Sequence, residues 1–233
     1  MKPGDPAAVE QLFDAVASRY DRLNDLLSLG LHRQWKRQLV RALQPGAGEQ
    51  WLDLCCGTGD LALELGRRVR PGGGVIGLDA AAAPLELARQ RQQQQPWLPV
   101  TFQQGDALDT GLPSACADGA VMAYGLRNLA DPLQGLKELR RLLKPGARAG
   151  VLDFNRLPQS GVAAAFQRFY LRRLVVPAAA SLGLREEYAY LEKSLERFPV
   201  GLEQERLARQ AGFAEANHRS LVAGQMGVLT LRA

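Results

Sequence analysis

The chain has 233 residues, 46% of them hydrophobic and 23% charged, which is ordinary for a globular domain that can bury a large core. The formal net charge of +5 favours anionic surfaces, but the basic residues are spread in pairs along helical patterns, so we expect no nucleic acid partner. Three cysteines and two histidines do not suit a disulfide framework or a zinc site, and we expect no bound metal.

No segment is typical of a secretory signal or a membrane span. Residues 1–6, "MKPGDP", are polar, and no apolar signal segment follows them. The longest nearly apolar run, "LVVPAAASLGL" at 174–184, is broken by Pro177 and is too short to cross a bilayer. We therefore expect a cytoplasmic protein.

The first part of the chain, residues 5–44, has a helical pattern. Apolar side chains recur at helical spacing from Leu12 through Val16 to Tyr20, and again from Trp35 to Leu43. Gly30 marks a break between helices. His32 lies beside Arg33 and Lys36 and is expected at the surface.

The second part, residues 49–155, alternates between strand and helix. The predicted strands are Gln50–Cys55, Gly74–Asp79, Val100–Gly105, Gly119–Tyr124 and Ala147–Phe154. The predicted helices between them are Asp60–Arg70, Pro84–Gln92 and Pro132–Leu143, with a turn at "LKPGAR", residues 143–148. Such alternation predicts a parallel sheet with helices on both faces.

The third part begins with predicted helices and ends with predicted strands. The helices are Gly161–Leu174, Arg185–Arg197 and Gly201–Gln210. "AGF", residues 211–213, is typical of a helix end before a strand, and residues 220–233 indicate another strand. Two terminal strands favour an antiparallel hairpin on the sheet edge. The fold class is α/β with a mostly parallel, seven-stranded sheet.

A glycine-rich turn follows the first predicted strand. "GTGDLA", residues 57–62, matches G-x-G-x-x-[GA], in which glycines allow a tight turn and close approach of a ligand to the backbone. Asp79 ends the next strand, where an acidic side chain can bind ribose hydroxyls. Asp106 ends the third strand and can accept from an adenine amino group, while the Ala107 N–H reaches a ring nitrogen. The alternative for each aspartate is a turn or capping role.

The charge beside the turn separates two classes of cofactor. Asp53 lies four residues before Gly57, and a carboxylate there would oppose the pyrophosphate of a dinucleotide. S-adenosylmethionine carries a sulfonium and an ammonium group and no phosphate, so Asp53 and Asp60 would attract it. Asp53 could also serve as a buried partner of the loop amides. Cys55 and Cys56 are interpreted as small apolar side chains beneath the loop.

Several longer segments resemble one family of enzymes. "LDLCCGTGDLA", "GLDA" and "GDALDTGLP" form, in order, motifs of class I S-adenosylmethionine-dependent methyltransferases, which have a Rossmann-like fold. "FDAVASRYDRLNDLLSLGLHRQWKR", "YGLRN", "YAYLEKSLERFP" and "AGF" are similar to the quinone-biosynthesis C-methyltransferases of the ubiquinone/menaquinone family. The sequence of these segments is most similar to the cyanobacterial branch of the family, which methylates demethylphylloquinone (2-phytyl-1,4-naphthoquinone) in phylloquinone biosynthesis.

The resemblance implies one methyltransferase domain over residues 1–233. Its parts are an N-terminal helical lid at 1–45, a cofactor-binding core at 46–155, and substrate-side helices with C-terminal strands at 156–233. S-adenosyl-L-methionine is the implied cofactor and a reduced prenylated quinone the implied substrate. A menaquinone- or ubiquinone-type substrate with another prenyl tail, and a tocopherol-type quinol, are the alternatives. A protein that has lost its activity and uses this fold only to bind a ligand or RNA is disfavoured, because the predicted cofactor-binding set of Asp53, Gly57, Asp79 and Asp106 is intact.

Site residues follow from these motifs. The predicted cofactor-binding residues are Asp53, Gly57, Thr58, Gly59, Asp79, Ala80, Asp106, Ala107 and Tyr124. Arg127 and Asn128, just beyond the fourth strand, are the predicted catalytic residues: the first stabilises a developing enolate and the second hydrogen-bonds a quinol oxygen. A scaffold ion pair is the alternative role of Arg127. Tyr20, Tyr188 and Tyr190 are the predicted substrate-binding residues.

The third part also suggests how a long apolar tail is held. The side chains proposed to line a channel are Phe166, Phe169, Tyr170, Leu174, Val175, Val176 and Leu182, with Arg168, Arg172 and Arg173 against lipid headgroups. A plain hydrophobic core is the alternative interpretation. We expect peripheral contact with the inner face of a membrane, and the sequence leaves open whether the protein is a monomer or a homodimer.

Overall fold

The computed structural model describes residues 30–156 and 194–233, with residue 223 excepted. In this part of the chain the strands are β1 (Gln50–Leu54), β2 (Gly74–Asp79), β3 (Val100–Gln104), β4 (Ala117–Ala123), β5 (Leu143–Phe154), β6 (Glu215–Leu221) and β7 (Met226–Arg232). The helices are α1 (His32–Leu43), α2 (Asp60–Arg68), α3 (Ala82–Gln93), α4 (Pro132–Leu142) and α5 (Gly201–Gln210), with a short 3-10 turn at Leu126–Asn128.

All seven strands form one sheet in the order β3-β2-β1-β4-β5-β7-β6. The first five are mutually parallel, whereas β7 runs antiparallel between β5 and β6. The predicted α/β class, the mostly parallel sheet and the antiparallel C-terminal hairpin are therefore confirmed.

The strand order places a ligand-binding crevice at one edge of the sheet. β1 has β2 on one side and β4 on the other, so the chain reverses its direction of progress across the sheet at β1. In open parallel sheets, ligands bind at such a point, outside the carboxyl ends of the strands. The loops that follow β1, β2, β3 and β4 all lie at this edge.

Helices cover both faces of the sheet. On one face, Trp35, Leu39 and Leu43 of α1 pack in one hydrophobic cluster with Leu61 and Leu65 of α2. α1 also packs closely on the sheet, because a Cβ added to Gly150 of β5 would lie 2.6 Å from Leu39 Cδ1. On the other face, apolar side chains of α4 and α5 form a second cluster. His32 is buried, at 1% exposure, so its expected surface position is wrong.

Other predicted elements have different bounds in the structure, or lie outside the residues that the structure describes. "LKPGAR" was predicted as a turn, but β5 begins at Leu143, which pairs with Ala117, and Gly146 N–H donates to the Ala233 carbonyl at 2.9 Å. The pairing of β5 with β4 is interrupted between Leu143 and Arg148, and Gly146 has a φ of 75°, so the predicted turn is present as a bulge inside β5. The helix predicted at 161–174 and nearly all of the one at 185–197 lie outside the described residues. Within residues 30–156 and 194–233, no helix is long and apolar enough to cross a bilayer.

Candidate active site

A cleft of about 260 Å³ lies at the carboxyl edge of the sheet. Residues from the four loops that follow β1 to β4 line it. Of the predicted cofactor-binding residues, the lining includes Gly57, Asp79, Ala80, Asp106, Ala107 and Tyr124. Asn128, a predicted catalytic residue, lines it too. The structure thus brings together residues that are up to 71 positions apart in the sequence, from Gly57 to Asn128.

The glycine turn has a backbone that most side chains would not tolerate. Gly57 and Gly59 have φ angles of 52° and 81°, in the left-handed region, and Cys55 also has a positive φ of 56°. At Gly59 an added Cβ would lie 2.7 Å from Cζ of Phe102. Gly59 also precedes α2, so the N-terminal end of this helix begins at the turn. Gly57 lines the cleft, whereas Gly59 is buried and its missing side chain makes room for Phe102. The role of the turn in binding a cofactor stays a prediction.

Asp79 holds the loops that follow β1 and β2 together. Its Oδ2 accepts from the Gly57 N–H at 2.7 Å, and its Oδ1 accepts from the Ala81 N–H at 3.0 Å. A carboxylate oxygen can accept more than one hydrogen bond. The carboxylate is thus fixed at the cleft wall while it can still accept from hydroxyl groups.

Asp53 lies beneath the turn instead of in the main cleft. It is 1% exposed, and its Oδ2 accepts from the Ala62 N–H at 2.9 Å. Burial raises the pKa of Asp53 to about 8, although the nearby ammonium of Lys36 opposes this shift. Together with Lys36, Gly57 and Thr58 it lines a small recess that adjoins the cleft. Asp53 therefore accepts from an amide in the first turn of α2 instead of from the loop amides that were its predicted alternative, and it also lines a cavity.

Asp60 is already paired with two cations. Its Oδ2 lies 3.0 Å from Lys36 Nζ and its Oδ1 lies 2.7 Å from an Arg91 nitrogen. Burial alone would raise the pKa of Asp60, but Lys36 and Arg91 hold it well below its usual range. The charge of Asp60 is thus compensated within the protein, in contrast to the expectation that it would attract a cationic ligand.

Arg91 connects α3 to the glycine turn. Besides its ion pair with Asp60, it donates to the Thr58 carbonyl at 2.9 Å and to Thr58 Oγ1 at 3.1 Å. Thr58 is buried, at 5% exposure. The sequence motif did not indicate Arg91, which lies 33 residues beyond Thr58. Its function in the described structure is to fix the conformation of the turn.

The loop after β3 forms the opposite wall of the cleft. Asp106 Oδ1 accepts from the Leu108 N–H at 2.8 Å, which is the turn role that was considered as its alternative. Ala107, between them, is buried and also lines the cleft. Asp106 therefore caps a turn and faces the cleft at the same time.

A buried ion pair stands behind the wall formed by Tyr124. The Arg127 guanidinium donates to Asp153 Oδ1 at 2.6 Å and to the Tyr124 carbonyl at 2.8 Å. The two charged side chains are only 9% and 3% exposed. Asn128 Nδ2 also donates to the Tyr124 carbonyl, at 2.9 Å. The scaffold role considered for Arg127 is therefore present, and its catalytic role stays a prediction.

Sequence reasoning missed Asp153 as the partner of Arg127. Asp153 lies near the end of β5, adjacent to β4 in the sheet, so its carboxylate meets the loop that follows β4. Its only sequence signal was an acidic residue at the end of an apolar strand. Tyr124 has a positive φ of 62° and packs against Phe154 with ring centroids 5.6 Å apart, so this end of β4 is held from several sides.

The cysteine pair carries no charge near neutral pH. Cys56 is buried and Cys55 is half-buried, and both are free thiols. Burial raises the pKa of each thiol well above its usual value, and the neighbouring aspartates add to this effect. Neutral thiols are poor nucleophiles and poor metal ligands. Among residues 30–156 and 194–233, no group of three or more acidic, cysteine or histidine side chains could hold a metal ion.

The predicted substrate-binding residues cannot be placed. Tyr20, Tyr188 and Tyr190 lie outside the described residues, as do the side chains of the predicted apolar channel and the three arginines beside it.

Taken together, the fold and the cleft define a class of protein. A parallel sheet with a terminal antiparallel pair, a glycine turn after β1 and acidic residues after β2 and β3 characterise the class I S-adenosylmethionine-dependent methyltransferases. A solved structure of a SAM-dependent methyltransferase from Aquifex aeolicus has a TM-score of 0.62 and 17% identity, and the alignment covers 98% of both chains. The [4+2]-cyclase SpnF, with a TM-score of 0.63 and 18% identity over 100% of this chain and 97% of its own, has the same fold and a different described activity.

Sequence comparison then gives the family. The model of the ubiE/COQ5 methyltransferase family matches residues 1–230, and the chain belongs to this family. A 2-phytyl-1,4-naphtoquinone methyltransferase of Nostoc punctiforme is 49% identical over 96% of this chain and 97% of its own length. The protein of the same description from Synechococcus elongatus is 49% identical over 98% of each chain. A chloroplastic relative from Arabidopsis thaliana is 42% identical over 94% of this chain and 84% of its own.

Proposed function

We propose that the protein transfers the methyl group of S-adenosyl-L-methionine to a ring carbon of a reduced 2-phytyl-1,4-naphthoquinone, which converts demethylphylloquinol to phylloquinol. The observation that carries this proposal is the identity of 42–49% to methyltransferases described by that substrate, along nearly the whole chain. The cleft adds support, because its position and its acidic residues suit an adenosyl cofactor.

The cleft residues fit the parts of this cofactor one by one. Asp79, at the end of β2, is placed to accept from the two ribose hydroxyls. Ala107 and Asp106 after β3 suit the adenine edge, which needs a backbone N–H and an acceptor. Apolar lining from Leu78, Pro84 and other residues suits the flat faces of the base. Gly57 leaves room for the remainder of the molecule at the turn.

When bound, the cofactor supplies an electrophilic methyl group on a sulfonium sulfur. The protein has to hold a quinol ring carbon in line with that methyl group and to exclude water, and positioning alone can contribute several orders of magnitude in rate. Loss of a hydroxyl proton makes the adjacent ring carbon more nucleophilic. Asn128, which lines the cleft, is placed to donate to the resulting oxygen, while Arg127 behind it contributes positive charge.

A product assay with a panel of acceptors tests the proposal. The purified protein is incubated with methyl-labelled S-adenosylmethionine and reduced or oxidised demethylated quinones that differ in ring and tail. We expect transfer to the reduced phytyl naphthoquinone and none to the oxidised forms. Faster transfer to a benzoquinol, to a quinol with another prenyl tail or to a tocopherol-type quinol would show that the proposed substrate is wrong. No transfer to any quinol would refute the proposed reaction.

The role of Arg127 needs a variant that separates chemistry from folding. Arg127→Ala should lower turnover with saturating quinol and leave cofactor affinity nearly unchanged. Because this change leaves the buried Asp153 without its partner, a charge-free pair, Arg127→Met with Asp153→Leu, is the control for stability. A folded double variant that retains wild-type turnover would remove Arg127 from the mechanism.

We further propose that the protein is cytoplasmic and works at the inner face of a membrane, where a phytyl quinone resides. The net charge of +5 and exposed apolar side chains such as Trp97 and Leu202 support this placement. Co-sedimentation with anionic phospholipid vesicles should decrease as salt rises, and no binding at low salt would count against it. A homodimer stays a prediction that light scattering of the purified protein can test.

A further inference from the structure

A second cavity lies directly beneath the glycine turn. It has a volume of about 20 Å³ and is lined by residues of α1, β1 and the turn. Besides the neutral thiols of Cys55 and Cys56, two of its lining residues carry ionisable groups: Lys36 of α1 and Asp53 of β1. A cavity of roughly 10–15 Å³ already accepts a water molecule, so this recess has room for one small polar group. The recess shares Cys55, Gly57 and Ala123 with the main cleft and therefore adjoins it.

Lys36 reaches this recess from a helix outside the glycine motif. Its side chain is only 13% exposed, and Nζ lies 3.0 Å from Asp60 Oδ2 and 5.8 Å from the centroid of the Tyr124 ring. An ammonium group has three N–H donors, and Asp60 accepts one of them. The group is therefore largely withdrawn from solvent and is held between the turn and Tyr124, which lines the main cleft.

Asp60 does not depend on Lys36 alone. Arg91 binds the other oxygen of this carboxylate at 2.7 Å. If Lys36 turned toward a ligand, Asp60 would still be paired. Two cations, Lys36 and Arg91, thus face the single carboxylate of Asp60, and a second anionic group could pair with Lys36.

We propose that Lys36 is a cofactor-binding residue that receives the α-carboxylate of the amino-acid end of S-adenosylmethionine, with Asp53 on the side of the α-ammonium. This inference rests on the proposed function and deepens it. The amino-acid end carries one anion and one cation on the same carbon, and the recess presents one cationic and one acidic side chain. Helix α1 thereby becomes part of the cofactor site, although it precedes the glycine turn and the acidic residues at the ends of β2 and β3 in the chain.

The test compares two ligands that differ in the amino-acid end. S-adenosylhomocysteine and 5′-methylthioadenosine share the adenosine and a neutral thioether, and only the first has the carboxylate and the ammonium. Dissociation constants are measured by titration calorimetry for the wild type and for Lys36→Met. A lost hydrogen bond between charged groups predicts about 10- to 100-fold weaker binding of S-adenosylhomocysteine. Binding of 5′-methylthioadenosine should change less than about twofold, because it makes no contact with Lys36 in this assignment.

Two further variants separate recognition from structure. Lys144→Met removes another lysine ion pair, in which Lys144 Nζ lies 2.7 Å from Asp118 Oδ1. Lys144 is more exposed than Lys36 and does not line the cleft or the recess, so both affinities should stay at the wild-type level. Lys36→Arg should recover part of the affinity for S-adenosylhomocysteine. Equal losses for both ligands, or no loss for S-adenosylhomocysteine, would overturn the assignment while the proposed function stands. If the wild type bound neither ligand, both proposals would fail.

Discussion

The buried carboxyl group of Asp53 should make cofactor binding depend on pH. Burial raises its pKa to about 8, so the group is mostly protonated near neutral pH in the absence of a ligand. A ligand ammonium in the adjacent recess would favour the ionised form. Ligand binding should then be coupled to the loss of a proton from Asp53, and affinity should rise with pH.

The size of this effect follows from the ionised fraction. With a pKa of about 8, that fraction falls from about 90% near pH 9 to about 10% near pH 7. If the ligand binds only the ionised form, its apparent dissociation constant rises by the inverse of this fraction, or about tenfold over the two pH units. Nearly one proton should be released for each ligand bound near pH 7.

Titration calorimetry with S-adenosylhomocysteine measures both quantities. Experiments in two buffers with different ionisation enthalpies give the number of protons released. The ligand's own amino group also titrates, so Asp53→Asn is the matched control: its amide oxygen can still accept from the Ala62 N–H, but it cannot ionise. Identical pH profiles and proton counts for the wild type and Asp53→Asn would refute the assignment of the coupling to Asp53.

The same group links stability to pH in the protein without ligand. Its folded pKa lies above the ordinary value of 3.8, so the folded state holds the proton more tightly than the unfolded state does. This contribution to stability is fully present below about pH 4 and is lost as pH rises through about 8. In chemical denaturation, the stability of Asp53→Asn relative to the wild type should therefore increase between about pH 4 and about pH 8 and level off at higher pH.

Two further predictions concern the turn. Gly59→Ala should lower the free energy of unfolding by about 2–5 kcal/mol in chemical denaturation, because it adds left-handed strain and a clash with Phe102. Gly48→Ala, with a φ of 82° but open space around it, should show only the strain, about 1–2 kcal/mol, and equal losses would exclude the clash. Cys55→Ala with Cys56→Ala should retain methyl transfer, since both thiols are neutral; complete loss of activity in a folded protein would favour a redox role.

The elements with strong local signals were predicted from the sequence almost to the residue. β2 at Gly74–Asp79 and α5 at Gly201–Gln210 have the predicted bounds, because apolar periodicity and flanking turn residues define them. The cleft could be predicted as well, since parallel strands place their following loops at one edge. The location of Asp79 and Asp106 at the cleft could be predicted from their positions at the ends of strands alone.

Contacts between distant parts of the chain were beyond sequence reasoning. Asp60 was expected to attract a ligand, and nothing local indicated that Lys36 and Arg91 would neutralise it from two other helices. His32 was expected at the surface because its neighbours are basic, yet the face of α1 that packs on the sheet includes it. In each case the deciding partner lies in an element whose position only the fold defines.

The antiparallel pairing of β7 with β5 has a consequence for how this family can vary. Phe154 pairs with Met226, and the Asn155 N–H donates to the Gln225 carbonyl at 3.0 Å, so the connection between them, which includes α5 and β6, has its two ends side by side. The entropy cost of closing such a loop grows only logarithmically, by about 0.6 kcal/mol for each doubling of its length. Insertions in the predicted substrate region between residues 156 and 193 would therefore cost the fold little. If this region selects the acceptor, as predicted from the sequence, changes of its length would allow one cofactor-binding core to serve acceptors of different size.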